Sequence, residues 1–271
     1  MNAELVYDVG AHCGSDTAHY LSLGYRVLAI EADPTIAAGL RERFAHSIAT
    51  DRLVVLNCGI AEIDGELPFY LCPKNSEWNS FRKGWAELRG ATSRAVQIPT
   101  RRLETVLEEY GIPIFMKVDI EGMDGLCIRA LDSGRRPRFV SFEAAADDLD
   151  LIVHLRELGY QRFSLINQYS FDAVEIPQIG TPSHVRWSSV QMARKVVREH
   201  PGLKRIVSAL RPRTVFNGNG GFRNDSAGPT PMERKSGWQS LEEFARTWAA
   251  VVASGLITSS WYDIHAALYI N

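Results

Sequence analysis

The chain has 271 residues, of which 45% are apolar and 23% charged, and its formal net charge is −2. These values are typical of a globular protein with a large core, and the small net charge argues against a surface built as a whole for nucleic acid. The sequence contains no apolar run long enough to span a membrane, and Met1 to Glu4 lead into a predicted strand rather than a signal peptide. Four cysteines without metal-ligand spacing indicate thiols of a reducing compartment, so we expect a cytoplasmic protein.

Strand and helix signals alternate from Leu5 to Ile166. Apolar runs predict a first strand from Leu5 and further core strands at Arg26–Glu31, Leu53–Leu56, Ile114–Asp119, Phe139–Glu143 and Tyr160–Ile166. Helices are predicted from Ser15 to Leu23, from Asp33, over Leu103–Tyr110, around Met123–Leu131 and over Leu149–Leu158. This order predicts an α/β fold with a mostly parallel sheet and helices on both faces.

The alternation stops after Gln168, and residues 168–258 are predicted to form an insertion or lid within one domain that spans residues 1–271. A capping box at Ser240–Glu243 predicts a helix through Val252, and Trp261–Leu268 predicts a last strand beside the sixth. The remaining features are a helix near Ser189–His200, a basic segment at Arg186–Arg213, a glycine-rich loop at Asn217–Pro231, a hairpin turn at Ile63–Glu66, a short strand at Val96–Ile98 and a loop with a short helix at Pro73–Arg94.

The turn after the first strand reads Asp8-Val-Gly-Ala-His-Cys-Gly14. Gly10 and Gly14 allow a close approach of the backbone to a ligand, whereas the Gly-x-Gly-x-x-Gly spacing for a dinucleotide and the Gly-Lys-Ser/Thr ending for a phosphate are missing. Glu31 ends the second strand, where a carboxylate usually binds ribose hydroxyls. An acidic residue beside the loop favours a cationic ligand without phosphate, and S-adenosylmethionine fits this description.

Polar side chains follow several predicted strands. These candidates for a shared site are Asp8, Glu31, Asn57, Asp119, Glu121 and Glu143. Because ligands bind at the carboxyl ends of the strands in open parallel sheets, we expect them at one edge.

Three of these segments together resemble one family. Asp8–Gly14, Glu31-Ala-Asp-Pro34 and Lys117-Val-Asp-Ile-Glu-Gly122 are similar, in order and spacing, to the FkbM family of S-adenosylmethionine-dependent methyltransferases, over roughly Leu5 to Glu143. The chain departs from the usual pattern at His12-Cys13 and at Asp124. The resemblance implies a seven-stranded class I methyltransferase fold, Rossmann-like in character. It also implies methylation of a hydroxyl of a sugar, a glycan or a secondary metabolite.

The resemblance implies a role for each residue of this sequence that matches the cofactor site of the family. Asp8 and the loop Gly10, Ala11, His12 and Gly14 would hold the methionine end, Glu31 the ribose, and Asn57 and Gly59 the adenine. A hydroxyl acceptor must lose a proton, so a base is expected in reach. Asp119 is the first candidate and Glu121 and Glu143 follow, although Asp119 could instead orient the cofactor, and Lys117 either keeps it ionised or is an ordinary partner.

Other readings stay open. The three candidate bases could bind a divalent cation through oxygen, but we predict no metal. The expected acceptor is a small molecule or glycan, and nucleic acid is not expected. The alternatives are a nucleic-acid methyltransferase and a non-catalytic binding module of the same fold. The basic segment could instead contact an anionic substrate or membrane surface, or be a solvated helix face.

Overall fold

The computed structural model describes residues 3–87, 90–176, 228–257 and 261–269. The strands are β1 (Leu5–Val9), β2 (Arg26–Ile30), β3 (Leu53–Leu56), β4 (Gly59–Ile60), β5 (Gly65–Leu71), β6 (Arg94–Arg101), β7 (Phe115–Val118), β8 (Phe139–Glu143), β9 (Arg162–Asn167) and β10 (Tyr262–Ala267). The α-helices are α1 (Ser15–Ser22), α2 (Pro34–Arg43), α3 (Ala45–Ala49), α4 (Lys83–Ala86), α5 (Leu103–Tyr110), α6 (Asp124–Arg129), α7 (Leu149–Glu157) and α8 (Leu241–Ala253), and a 3-10 turn covers Ser76–Trp78.

The larger sheet has seven strands in the order β3-β2-β1-β7-β8-β10-β9. Neighbours from β3 to β8 are parallel, and β10 runs antiparallel to both β8 and β9. This is the seven-stranded, mostly parallel sheet of the class I methyltransferase fold, so the predicted fold class is confirmed. A second sheet of three strands, β4-β6-β5, lies beside it.

Apolar strands and helices with one apolar face explain why the sheet lies between two layers of helices. The four residues of β7 are all buried, as a strand covered on both faces requires. One face of the large sheet packs against α5, α6, α7 and α8, with Phe244 and Trp248 of α8 in that core. The other face packs against α1 and α2, through residues such as Tyr20 and Leu40. The sheet is therefore held between helices on both sides, which leaves the loops at its carboxyl edge to build a site.

Several local predictions are confirmed closely. Helix α5 has the predicted bounds, Asp33 caps α2 through backbone amides of Thr35 and Ile36, and the capping box at Ser240 and Glu243 starts α8. Strand β10 lies beside β9, as predicted, and it also separates β9 from β8.

Three local predictions need correction. Ile63–Glu66 is not a turn between paired strands, because β5 pairs antiparallel with β6 and β4 pairs parallel with β6. Strand β6 is longer than Val96–Ile98 because it pairs with β5 from Gly65 to Leu71. Helix α1 starts after Gly14, whose φ of 79° is left-handed, and without a side-chain cap from Ser15 or Asp16.

Some predicted features lie outside the described residues. These are the helix at Ser189–His200, the basic segment Arg186–Arg213 and most of the loop Asn217–Pro231. In the described part of the chain, no helix is both long enough and apolar enough to cross a bilayer.

Candidate active site

A cavity of about 300 Å³ opens at the carboxyl ends of β1, β2, β7 and β8, and we call it the first cavity. Its volume is in the range of small-molecule binding sites. The loops after these strands form its floor, and the segment Ser76–Trp85 forms much of the opposite wall. The predicted site residues that line it are Gly10, Ala11, His12, Glu31, Gly59, Asp119, Glu121 and Glu143. The structure therefore brings together eight residues from five separate segments of the sequence.

Asp8, Gly14 and Asn57 do not line the first cavity. The buried Asp8 accepts a hydrogen bond from Thr17 Oγ1 at 2.5 Å, and Asn57 Nδ2 donates to the backbone oxygen of Glu31 at 2.8 Å. A Cβ atom at Gly14 would lie 2.6 Å from Leu40 Cδ2, so helix α2 approaches the loop closely there. These three residues contact the loops and helices next to the lining residues rather than the cavity itself.

The backbone of the cavity is tightly constrained at Gly10. Its φ is 85°, and an added Cβ atom would lie 1.8 Å from the backbone oxygen of Asp119. The loops after β1 and β7 therefore touch, and only glycine fits at this contact. His12 and Glu121 also have left-handed φ values, of 45° and 48°. Side-chain-bearing residues in this conformation are uncommon and concentrate at functional sites.

Glu31 presents a fixed carboxylate to the first cavity. Its two oxygens accept hydrogen bonds from the backbone amides of His12, at 2.8 Å, and Asp33, at 2.7 Å. Burial raises the pKa of Glu31 to about 7, although both hydrogen bonds oppose this shift. The two amides fix the orientation of the carboxylate, and its remaining lone pairs can accept hydrogen bonds from ligand hydroxyls.

A buried lysine lies under the cavity floor. Lys117 Nζ is 2.9 Å from Asp16 Oδ2, 3.3 Å from Asp119 Oδ2 and 3.8 Å from Asp8 Oδ1. Burial favours the neutral amine, but the aspartates, Asp16 first, raise the pKa of Lys117 well above its usual range. The Asp119 side chain is 38% exposed, whereas those of Asp8 and Asp16 are at most 2% exposed. Asp119 is thus the carboxylate of this cluster that faces the first cavity.

Glu121 and Glu143 differ from Asp119 in their surroundings. Trp85 Nε1 donates to Glu121 Oε2 at 2.7 Å. Burial, and then the nearby Asp119, raise the pKa of Glu121 to about 8 and that of Glu143 to about 9. Both carboxyls therefore hold a proton more strongly than a free glutamate does. Among the three predicted bases, Asp119 is the one with a cation within 4 Å in the described part of the chain.

The sequence interpretation missed part of the wall. Trp78, Asn79, Phe81 and Trp85 line the first cavity from the segment that was predicted only as a covering loop. The edge of Phe81 fills the space that a Cβ atom at Gly59 would occupy, at 2.2 Å. The density of aromatic residues in this loop was the signal for a binding wall. Further missed contributions come from Gln168 and Trp261, far along the chain.

A metal site is not formed by the predicted carboxylates. Among the described residues, no group of three or more His, Cys, Asp or Glu side chains is arranged to hold a metal ion, and Asp119, Glu121 and Glu143 form no such group.

Comparison with known proteins identifies the family. The family described as the Methyltransferase FkbM domain matches residues 8–162, which is more than half of the 271 residues. The chain belongs to this family. The predicted resemblance to the FkbM family of S-adenosylmethionine-dependent methyltransferases is confirmed. The matched residues include every residue of the first cavity that the sequence predicted.

Individual relatives are more distant. A probable ribosomal RNA small subunit methyltransferase A of Haloarcula marismortui is 41% identical over 59 residues, which cover 22% of this chain and 21% of that protein. A precorrin-6y C5,15-methyltransferase of Geobacter metallireducens has 15% identity and a TM-score of 0.35 over 62% of this chain and 68% of its own. Phosphoethanolamine N-methyltransferase 2 of Haemonchus contortus, in complex with S-adenosyl-L-methionine, has 9% identity and a TM-score of 0.36 over 98% and 49%. These similarities are too low or too short to indicate an acceptor.

The chemistry of the first cavity fits S-adenosylmethionine. The cofactor carries ribose hydroxyls, which can donate hydrogen bonds to the fixed carboxylate of Glu31. The close contact between Gly10 and the backbone of Asp119 keeps the loops after β1 and β7 together at this cavity, and a side chain at Gly10 would force them apart.

Proposed function

We propose that this protein transfers the methyl group of S-adenosylmethionine to a hydroxyl of a sugar, a glycan or a secondary metabolite. The observation that supports this most strongly is the position of Asp119. Its carboxylate faces the first cavity, 38% exposed, with Lys117 Nζ 3.3 Å away. A neutral amine attacks with its own lone pair, whereas an alcohol needs a base for its proton. A carboxylate facing the site of transfer therefore favours an oxygen acceptor.

The donor-binding roles follow the predicted assignment. Glu31 would accept hydrogen bonds from the ribose hydroxyls, and the loop from Gly10 to Gly14 would hold the methionine end, with Asp8 supporting it from behind. Gly59 and Asn57 would shape the adenine end, Gly59 by its contact with Phe81 and Asn57 by holding the backbone after β2.

Positioning and proton removal would share the catalytic work. When bound, S-adenosylmethionine supplies a methyl group that is already activated by its sulfonium. Holding an acceptor oxygen in line can lower the barrier by ~7–11 kcal/mol. Asp119 would accept the hydroxyl proton, an effect on the order of 10²–10⁴-fold. Lys117 would position Asp119, while Glu121 and Glu143 would hold the acceptor through hydrogen bonds.

A nucleic-acid acceptor is a second candidate, favoured by the 59-residue similarity to the ribosomal RNA methyltransferase. The exposed carboxylate of Asp119 in the first cavity opposes it, since like charges repel and the backbone of a nucleic acid carries a negative charge at each phosphate. Binding of RNA that weakens steeply between low and physiological salt would support this second candidate.

The proposal is tested with a donor that carries an isotope label in its methyl group. The purified protein is incubated with this donor and with hydroxyl-bearing acceptors of each proposed class. Nuclear magnetic resonance of the product then identifies the methylated atom. We expect an ether methyl group. A methyl group found on nitrogen, or the absence of S-adenosylmethionine binding by calorimetry, would overturn the proposal.

The role of Asp119 has its own test. In Asp119→Asn, turnover should fall by roughly 10²–10⁴-fold, because the amide cannot accept the proton. The affinity for S-adenosylmethionine should stay within a few-fold of the parent protein. The control is the same carboxyl-to-amide change at the exposed Glu242 of α8, which should leave both values unchanged. Unchanged turnover in Asp119→Asn would remove this residue from the role of base.

A further inference from the structure

Gln168, in the lining of the first cavity, is held by residues at the start of β10. Its side-chain nitrogen Nε2 donates a hydrogen bond to Asp263 Oδ1 at 2.6 Å, across 95 positions of sequence. Its backbone amide donates to the carbonyl oxygen of Trp261 at 3.1 Å. Both the backbone and the side chain of Gln168 are therefore fixed, as a residue that contacts a ligand requires.

Asp263 is a buried carboxylate whose hydrogen bond goes to Gln168. It is 5% exposed, and its other oxygen, Oδ2, has no hydrogen-bond partner among the residues that the structure describes. Burial raises the pKa of Asp263 to about 7, and the hydrogen bond from Gln168 is the strongest effect that opposes this shift. Because a buried charge is costly without a partner, Gln168 and Asp263 act as a pair.

The pair determines which way the amide of Gln168 points. An ionised carboxylate only accepts hydrogen bonds, so the amide nitrogen must be the atom that faces Asp263. One N–H of this nitrogen is used in that bond. The carbonyl oxygen and the second N–H remain for a ligand in the first cavity, so the amide offers an acceptor and a donor side by side.

The position of Gln168 along the edge of the sheet indicates which part of the methyl donor it meets. Glu31 follows β2 and Gln168 follows β9, with β1, β7, β8 and β10 between them. In S-adenosylmethionine, the ribose joins the adenine to the methionine end. If the adenine lies at Gly59 and the ribose at Glu31, as proposed, the methionine end extends from Glu31 toward the side of the cavity where Gln168 lies.

The face of the sheet agrees with this direction. Tyr262 and Ile264 of β10 pack in the core with α8, so the alternation along a strand directs Asp263 to the opposite face, where α1 packs. The loop from Gly10 to Gly14, which is proposed to hold the methionine end, leads into α1 on that same face.

We infer that Gln168 binds the amino-acid end of S-adenosylmethionine and that Asp263 is the positioning residue that holds its amide for this contact. The amide oxygen would accept a hydrogen bond from the ammonium group, and the free N–H would donate to the carboxylate of the same ligand. The inference rests on the proposed orientation of the donor and is independent of the acceptor.

The test compares two ligands by calorimetry at about pH 8, above the pKa of Asp263. S-adenosylhomocysteine has the amino-acid end, and methylthioadenosine lacks it. Gln168→Met keeps the length of the side chain without its amide. It should weaken binding of S-adenosylhomocysteine roughly tenfold or more and leave that of methylthioadenosine within about twofold. The matched control is Gln161→Met, at an exposed glutamine of β9 that lines no part of the first cavity, and it should change neither affinity.

The positioning role of Asp263 is tested by combining variants. Asp263→Ala should weaken binding of S-adenosylhomocysteine, whereas Asp263→Asn, which keeps an acceptor oxygen for the amide, should retain most of the affinity. In protein that already carries Gln168→Met, Asp263→Ala should have no further effect on this affinity, because its partner is gone. A further loss of the same size would show that Asp263 acts on the fold alone and would overturn its positioning role.

The outcomes separate this inference from the proposed function. If Gln168→Met weakens both ligands equally, or changes neither, Gln168 does not bind the amino-acid end and the inference is wrong. Methylation of a hydroxyl would then stand, because the position of the labelled methyl group tests it separately. If the parent protein binds neither ligand, the first cavity is not the donor site and both proposals fail.

Discussion

The first cavity differs in construction from a second cavity of about 810 Å³, and Trp85, Glu143 and Trp261 line both. The first is shaped by backbone that follows neighbouring parallel strands, with Gly10 against the carbonyl of Asp119 and Glu31 held by two amides. The second is shaped by side chains from distant parts of the chain, such as Arg82, Tyr169 and Trp261. A backbone-built site tolerates little substitution, whereas a side-chain-built site can change its specificity one residue at a time.

The largest expected effect is at the backbone of the first cavity. Gly10→Ala places a Cβ atom 1.8 Å from the backbone oxygen of Asp119 in a left-handed residue, so the loops after β1 and β7 must separate. We expect a loss of several kcal/mol of unfolding free energy, beyond the ~1–2 kcal/mol that the left-handed conformation alone costs. Binding of S-adenosylmethionine should weaken by at least about tenfold. Chemical denaturation and calorimetry measure the two effects.

Gly24→Ala is the matched control for this change. Gly24 has a similar φ, 93°, but an added Cβ atom would meet no atom within 4 Å. It should therefore show the conformational cost alone, about 1–2 kcal/mol, and leave donor affinity unchanged. If the two variants lose equal stability and both bind the donor, the close contact at Gly10 has no role in the first cavity.

Most of the fold could be predicted from the sequence because its signals are local. Apolar runs such as Phe115–Val118 and the spacing in Leu103–Tyr110 depend only on neighbouring residues, and they gave the core strands and helix α5. Pairing between distant strands could not be predicted in the same way. The predicted turn at Ile63–Glu66 was wrong because β5 pairs with β6. The segment between these two strands is long, and nothing in its sequence indicates which residues of the two strands pair.

The residues of the first cavity could be predicted because they follow core strands that the sequence indicates locally. Residues at the carboxyl ends of parallel strands share one edge, so Glu31, Asp119 and Glu143 were expected together and all line the first cavity. The second cavity follows no such rule. Its aromatic pair joins Tyr169 to Trp261 across 92 positions of sequence, and no period or spacing indicates that contact.

A smaller effect on stability is expected from the ion pairs beside the two cavities. Under the first cavity, Lys117 is 7% exposed and faces three aspartates, so Lys117→Met leaves buried carboxylates without their cation. This should cost about 3–5 kcal/mol of unfolding free energy. At the second cavity, Arg129 and Asp150 are both more than half exposed, and Arg129→Met should cost less than ~1 kcal/mol.

Denaturation of both variants in urea tests this contrast. A second variant, with Asp16→Asn added to Lys117→Met, should recover part of the loss because one uncompensated charge is removed. Equal costs for Lys117→Met and Arg129→Met would show that the cluster under the first cavity contributes no more than a surface ion pair.

A pH-dependent effect is expected at Glu143, which lines both cavities. Burial first, and then the nearby carboxylates Asp119 and Glu121, raise the pKa of Glu143 from 4.5 to about 9 in the folded protein. Between these two values the folded state holds a proton that the unfolded state has released. The contribution of Glu143 to stability is therefore complete below about pH 4.5 and is lost as the pH rises through about 9.

Glu143→Gln removes this pH-dependent contribution, because glutamine does not titrate. Without donor, the variant should gain stability relative to the parent protein as the pH rises from 5 to about 9. Melting temperatures across this range measure the gain, and Glu62→Gln, at an exposed glutamate of the second cavity, is the control. Binding of the cationic donor should release protons from the parent near pH 8, since positive charge favours the carboxylate, and fewer from Glu143→Gln. Calorimetry in buffers of different ionisation enthalpy counts these protons. Equal release from both proteins would show that the bound donor does not change the pKa of Glu143.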